Sequence, residues 1–488
     1  MLTPAEELGL SGLSLATRVR KAFFRIPEGR LVELAEQIRT EAKRRHIVYE
    51  RDGIEDVIHI MPMPITVLPD QLSYIHYVSQ TVNNALKRLP DLYLQDDAVR
   101  EALRLTPGEE KWLSDGWGVN QRENNPIFGR LDAMVDFISP MWKDSLKFVE
   151  PNMGGIGGLH MVPTAEQILA EIIVPVLNEY DDQLELEIGR DIRVLLMQEI
   201  LEHLQAIGRG AANICFIEPK YSKTGPVEQE ALAEYYRERY GLKIMHADPA
   251  ELTLKDGEVY YQDDRIDLGY RDYSVFDLLG LEREGVNVEP MRELFQQNRM
   301  ISSIAAELDQ KSCWEVFTDP SLAQKYFSPE ERQIFRRHIL WTRLVSDRRT
   351  VLPEGRSLPL LDYIRRERER LVMKPNRSFG GQGVLIGQLM SQADWDTAIQ
   401  KAVADPERMV VQQLASIPVS EFPLVVDGKV HFEPFYTVMG FASTRYGVSI
   451  LGRASQKQVV NVAQRGGLCV LMQGRPPSEL HAPPSMRG

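Results

Sequence analysis

Residues 373–387, MKPNRSFGGQGVLIG, place three glycines within four positions between two apolar, strand-like runs. A backbone this free of Cβ atoms can turn sharply, so the flanking runs are expected to pair as a hairpin. The loop also carries chemistry. Glycines let backbone N–H groups approach an anion closely, and Lys374, at the end of the first run, adds a cation beside them. A Walker A loop is excluded, because no GxxxxGK[ST] occurs here. GQGVLIG misses the dinucleotide fingerprint by one position and leads into a strand, not a helix. Alone, the stretch fits a phosphate cradle of Lys374, Gly380, Gly381, Gln382 and Gly383 as well as it fits an exposed β-turn. Arg377 beside it either touches phosphate or keeps the loop solvated.

A second stretch, KFVEPNMGGIGG (147–158), sets Glu150 and Asn152 two apart, so on an extended strand both side chains face one way. A carboxylate with an amide oxygen is a hard-oxygen pair suited to Mg²⁺. Upstream, Arg130 and Asp132 repeat the spacing on another strand. Without further context these are polar strand ends. His160, beside the GGIGG turn, is expected to be structural.

The rest of the pattern is mixed α/β (α+β). Residues 1–115 form a helical N-terminal region, with Leu31, Leu34, Ala35 and Ile38 on one face. Residues 116–185 supply the two strands above and a helix with Thr164 as its N-cap. Residues 186–300 alternate helix and strand, with Thr-Gly-Pro at 224–226 opening a helix and an Asp-Gly turn inside the last hairpin, which favours a small, mostly parallel sheet. Residues 301–474 run from a charged helical segment into strands RLVMKP, GVLIG, RMVVQQL and a long hairpin around Asp427-Gly428. The proline-rich tail, 475–488, is expected to be disordered.

At 488 residues the chain is too long for one core, so two to four packed units are expected. A formal charge of −13 argues against nucleic-acid binding but not against a local cluster of arginines and lysines that meets a small anion. Three distant cysteines exclude a disulfide framework and a cysteine zinc site, and suit a reducing cytoplasm. No window holds about 18 uncharged apolar residues and no signal peptide is visible, so a soluble, cytoplasmic protein with no membrane or nucleic-acid partner is expected. Lys311, Arg343, Arg271 and Arg453 each sit in apolar or aromatic runs, where an unpaired cation is costly; each must meet a carboxylate or a ligand anion. No GxSxG elbow, HExxH or kinase signature occurs, and the nine histidines show no metal spacing.

The order of these pieces resembles the circularly permuted ATP-grasp family of glutathionylspermidine synthetase-like proteins. The resemblance rests on R-L-D (130–132), E-P-N (150–152), Lys311, KPNRSFGGQGV (374–384), VVQQL (410–414) and GRASQKQVVNVAQRGG, and covers roughly residues 60–470. It implies a circularly permuted ATP-grasp core with a pre-ATP-grasp-like α/β unit and ATP and Mg²⁺ as cofactors. Asp132, Glu150 and Asn152 would hold Mg²⁺, with Asp136 as second choice for the first ligand. Lys311 and Lys374 would contact phosphates, with Arg343 a rival to Lys311, and Gly380–Gly383 would close over them. Gln412, Gln413 and Leu414 would meet adenine through their backbone. Arg130, Arg271 and Arg453 would face the transferred phosphate.

The implied reaction joins a small-molecule carboxylate to an amine through an acyl phosphate. Two other readings stay open: a phosphotransferase on the same scaffold, and a non-catalytic nucleotide-binding module. No Cys-His pair precedes the ligase region, so amidase chemistry is not supported. The acid, the amine and the oligomeric state, with a homodimer among the options, are not written in the sequence.

Overall fold

The computed structural model describes residues 2–210, 213–377, 380–405, 409–460 and 466–475. The expected disordered tail lies, apart from Arg475, outside the described residues, as does Asn461 of the closing motif.

The N-terminal helices form as the sequence dictates. Pro4–Arg25 opens on a capping box, with Glu6 N–H donating to Thr3 Oγ1 at 3.3 Å and Thr3 N–H to the Glu6 carboxylate at 2.6 Å. In Glu28–Arg44 the apolar face Leu31, Leu34 and Ile38 is buried, and Ala35 is half-buried. This region is not purely helical, however. Val48–Arg51 and Ile54–Val57 form a hairpin, and Ile65–Val67 pairs in parallel with Leu471–Gly474 near the far end of the described chain.

A four-stranded parallel sheet sits in the middle of the sequence, ordered Met300–Ile301, Leu268–Arg271, Ile214–Ile217, Ile244–Ala247. The Asp256-Gly257 turn, with φ of 52° and 76°, closes the expected hairpin between Leu252–Lys255 and Glu258–Tyr261. Two expected helix starts differ. Gly225–Pro226 pairs as a short strand with Val48–Arg51, and the following helix begins only at Gln229. The helix expected to open at Thr164 begins at Met161 instead. The cause is a cap supplied from elsewhere: Gly158, His160 and Met161 donate their N–H groups to the Glu228 carboxylate at 2.8, 2.8 and 2.9 Å. No local sequence rule encodes such a cap.

Two antiparallel sheets frame the site. The larger runs Gly467–Leu468, Gly447–Ser455, Lys429–Thr444, Arg130–Met134, Lys147–Asn152, with Val419–Val426 added to Lys429–Thr444 across the Asp427-Gly428 turn. The smaller runs Thr342–Leu344, Met409–Gln413, Leu371–Pro375, Leu385–Ile386. Its outer face buries Leu371, Met373 and Val411 against Ile364, Trp395 and Ile399 of two helices, while Trp395 Nε1 donates to Ile364 O at 2.9 Å. Among the described residues no helix is long and apolar enough to cross a membrane.

Candidate active site

Strand alternation decides which side chains face the cleft between the two sheets. In the larger sheet Arg130 pairs with Asn152 and Asp132 with Glu150, so all four share one face. Gly440 lies opposite Asp132 on the next strand, and a Cβ there would meet the Arg130 side chain at 2.3 Å, which makes room for that arginine. In the smaller sheet Val372 pairs with Gln412, so Val372, Lys374 and Gln412 face one way, while Arg343, opposite Val411, faces the other.

The cleft is lined at one end by Asp132, Glu150, Lys311, Lys374 and Arg453. Elsewhere its walls are largely apolar, including Val149, Leu340, Val372, Ile386, Leu414 and Val438. Asp132 is clamped: Arg130 Nε donates to Oδ1 at 2.8 Å, and Arg453 Nη2 stands 2.8 Å from Oδ2. Lys311 Nζ lies 3.3 Å from Glu150 Oε2. Burial alone would raise both carboxyls, yet Arg130 and Arg453 hold Asp132 below the usual range, and Lys311 and Lys374 do the same for Glu150. Both are therefore ionised at neutral pH. Four cations surround two carboxylates, so the cluster favours an incoming anion.

Lys374 is the group most affected. Burial pushes its ammonium down to about 8, against the pull of Glu150. Phosphate binding favours the charged form, so nucleotide affinity is expected to hold below that pH and fall as pH rises above it. A titration of ADP affinity against pH checks this. Lys374→Arg, which stays charged, should remove the break, and a break that persists in that variant would reassign it to another group.

Asn376, which sequence reasoning passed over, locks the two lysines in place. Its Oδ1 accepts from Ser312 N–H at 2.9 Å, its Nδ2 donates to Gln310 Oε1 at 2.9 Å, and its carbonyl accepts from Lys311 N–H at 3.2 Å. The K-P-N triplet was the available signal, because an asparagine after Lys-Pro can bind a neighbouring backbone. Gln412 has a similar part. Its Nε2 donates to Val149 O at 2.9 Å and to Thr342 Oγ1 at 2.8 Å, tying the smaller sheet to the strand that carries Glu150.

Gly380, Gly381 and Gly383 have φ of 71°, 73° and 69°, the left-handed conformation that the glycine run predicts. Gly381 and Gln382 line the cleft, and a Cβ at Gly381 would sit 2.4 Å from Val459. Arg377 does not point into the cleft: it forms an ion pair with Glu109 of the helix Pro107–Gly116. Gln413 and Leu414 line the cleft, but their N–H groups already donate to Trp341 O and Arg370 O, at 2.9 and 2.8 Å. These two N–H groups are engaged within the protein, so the expected adenine contact by the backbone of Gln412, Gln413 and Leu414 would fall to their other backbone groups.

Several expected residues lie elsewhere. Arg271 is fully buried among backbone carbonyls, donating to Ser302 O, Tyr273 O and Ser303 O at 2.8, 2.6 and 3.1 Å and pairing with Glu307. Arg343 is likewise buried, on the outer face of its strand. Neither lines the cleft. Asp136 accepts from Ile138 N–H at 3.2 Å in a turn and does not line the cleft. Asn152 lies one step beyond the cleft lining, beside Arg130, and its buried Nδ2 has no hydrogen-bond partner among the described residues. His160 is structural as expected, with Nε2 2.7 Å from Arg45 O.

The donor chemistry fits Mg²⁺. Two adjacent ionised carboxylates and the Asn152 amide share one sheet face, and oxygen donors of this kind suit Mg²⁺, which keeps positions for water. Among the described residues there is no group of three His, Cys, Asp or Glu arranged for a metal.

No protein-family model matches the chain, and no curated protein matches its sequence. The fold does match a solved structure, that of a glutathione synthetase-like effector from Globodera pallida in its apo form. The match has a TM-score of 0.61 at 12% identity and covers 92% of this chain and 98% of that one. The chain has a glutathione synthetase-like fold. At so low an identity the likeness extends to the architecture and not to the site. The arrangement itself sets a cluster of four cations beside largely apolar walls, which suits an anion that carries an apolar part.

Proposed function

We propose that this chain is a Mg²⁺- and ATP-dependent carboxylate–amine ligase on a circularly permuted ATP-grasp scaffold. The observation that carries the reading is the single cleft joining Lys311 and Lys374 to Asp132, Glu150 and Arg453, between two antiparallel sheets. The order of these residues along the chain, carboxylates before the Lys-Pro-glycine hairpin, supports the permuted arrangement.

In this reading Asp132, Glu150 and Asn152 would hold Mg²⁺, whose charge would offset that of the phosphates. Lys311 and Lys374 bind the phosphates. The cleft as it stands is narrow, about 140 Å³, against roughly 300–1,000 Å³ for a typical ligand site. The glycine loop, resting against Val459, must therefore lift to admit a nucleotide and settle over it. A substrate carboxylate attacks the γ-phosphorus and ADP departs, leaving an acyl phosphate. An amine then attacks the acyl carbon, and phosphate leaves as the amide forms. Arg130 and Arg453, on either side of Asp132, face the charge that develops in the first step. No side-chain nucleophile is needed. The three cysteines are buried, in keeping with that.

ADP release that requires both a carboxylic acid and an amine is the expected result, screened over amino acids and small peptides against primary amines with mass spectrometry of the product. A stable phosphorylated product without amide would select the phosphotransferase. Nucleotide binding with no turnover under any pairing would select the binding module.

A further inference from the structure

A second cavity lies behind the active site. In the strand Gly447–Ser455, Arg453 faces the cleft, so Val448 and Ile450, an odd number of positions away, face the opposite side of the sheet. There they wall a cavity of about 330 Å³ with Val67, Leu72 and Leu471. Its polar end holds Glu166, from the helix Met161–Ile172, and Arg190.

These two side chains stand out because their neighbours are already matched. Asp191 pairs with Arg193 at 2.8 Å, and Arg445 pairs with Glu202. The His76 ring is engaged at 2.6 Å by Thr444 O. Glu166 is only 4% exposed, yet its carboxyl has no hydrogen-bond partner among the described residues; its Oε2 is fully enclosed. A carboxyl that deep is costly to leave unsatisfied. Arg190 is exposed and lies across Gly447, where a Cβ would meet its Cγ at 3.3 Å. It too makes no hydrogen bond or ion pair among the described residues. Burial, with the Asp191 carboxylate adding to it, pushes the Glu166 carboxyl well above the usual range. The shift favours the uncharged acid, which has an O–H to donate and does not repel an anion.

We propose that this cavity is a second binding site, for a small organic carboxylate with an apolar body. Arg190 grips the carboxylate with two parallel N–H donors, the geometry for which a guanidinium is suited. Glu166 donates to the same group through Oε1, the oxygen beside Gly189 of the cavity wall, and Val67, Leu72, Val448 and Leu471 enclose the apolar part. A bare phosphate would leave those walls unused. The site is independent of the nucleotide cleft and of the reaction proposed for it, although the same strand borders both.

Phenylacetate is a suitable probe, with phenylacetamide as its uncharged twin, followed by ligand-observed NMR on the full chain. Phenylacetate is expected to bind, and the amide to bind about tenfold more weakly or worse, as is phenylacetate to Arg190→Ala. Glu166→Gln, which keeps a donor, should bind within a few-fold of the native protein, while Glu166→Leu should lose about tenfold. Lys374→Met, altered only in the nucleotide cleft, should bind phenylacetate unchanged. Arg190 is exposed, so its variant should fold whether or not Glu166→Leu does. No binding at tens of millimolar would overturn the proposal. So would equal binding by Arg190→Ala, or loss in Lys374→Met, which would place the probe in the other cleft.

Discussion

Glu150→Ala is expected to reduce ADP release by about a thousandfold while leaving a folded protein. The carboxylate has two roles that can be separated. It lies 3.3 Å from Lys311 and supports the charge of Lys374, and it faces Asp132 across the strand pair as half of the ionised oxygen set. Without it, two buried cations face the cleft with Asp132 alone to offset them. Phosphates then meet less repulsion, so ADP affinity in EDTA should hold or increase. With Mg²⁺ present the native protein gains affinity and the variant should not, because the metal has lost a ligand. Calorimetry of ADP binding with and without Mg²⁺ separates these effects. A variant that keeps the Mg²⁺ enhancement would remove Glu150 from the metal set. Unchanged turnover would remove it from the site altogether.

Much of this site was legible because strand alternation is a local rule. R-L-D and E-P-N each place two polar side chains on one face, and the structure sets the two pairs directly opposite one another. Lys374 at a strand end, the three left-handed glycines and both Asp-Gly hairpins followed from residue chemistry in the same way. What stayed hidden depends on contacts distant in sequence. The Glu228 cap on the helix at Met161 comes from a segment far along the chain. Asn376 acts on Gln310 and Ser312, and Arg377 finds its partner in Glu109. The buried arginines show the limit most sharply. Arg271, Arg343 and Arg453 all occupy apolar runs, and only the register of the neighbouring strands decides which of them meets the cleft. The backbone N–H groups of Gln413 and Leu414 were likewise committed by tertiary pairing that local pattern does not show.

Arg343→Ala is the variant expected to damage the fold most among these cations, by about 3–5 kcal/mol. Its guanidinium makes five hydrogen bonds: Nε to Thr350 Oγ1, Nη1 to Thr318 Oγ1 and Thr342 O, Nη2 to Thr318 O and Val351 O. Two carboxylates stand further off, Glu315 at 3.8 Å and Asp319 at 3.9 Å. Truncation takes a buried donor from each of those carbonyls and hydroxyls and removes a cation from beside Asp319. Val351 O keeps Trp341 Nε1, and Glu315 keeps Arg348. Arg343→Lys should recover only part of the loss, because one ammonium cannot reach partners spread around a planar fork. Urea unfolding measures the cost, and ADP binding by the folded fraction should match the native protein, since the side chain points away from the cleft. The opposite pattern, native stability with nucleotide affinity lost, would return Arg343 to the phosphate site and show that the strand Thr342–Leu344 presents its other face to the ligand.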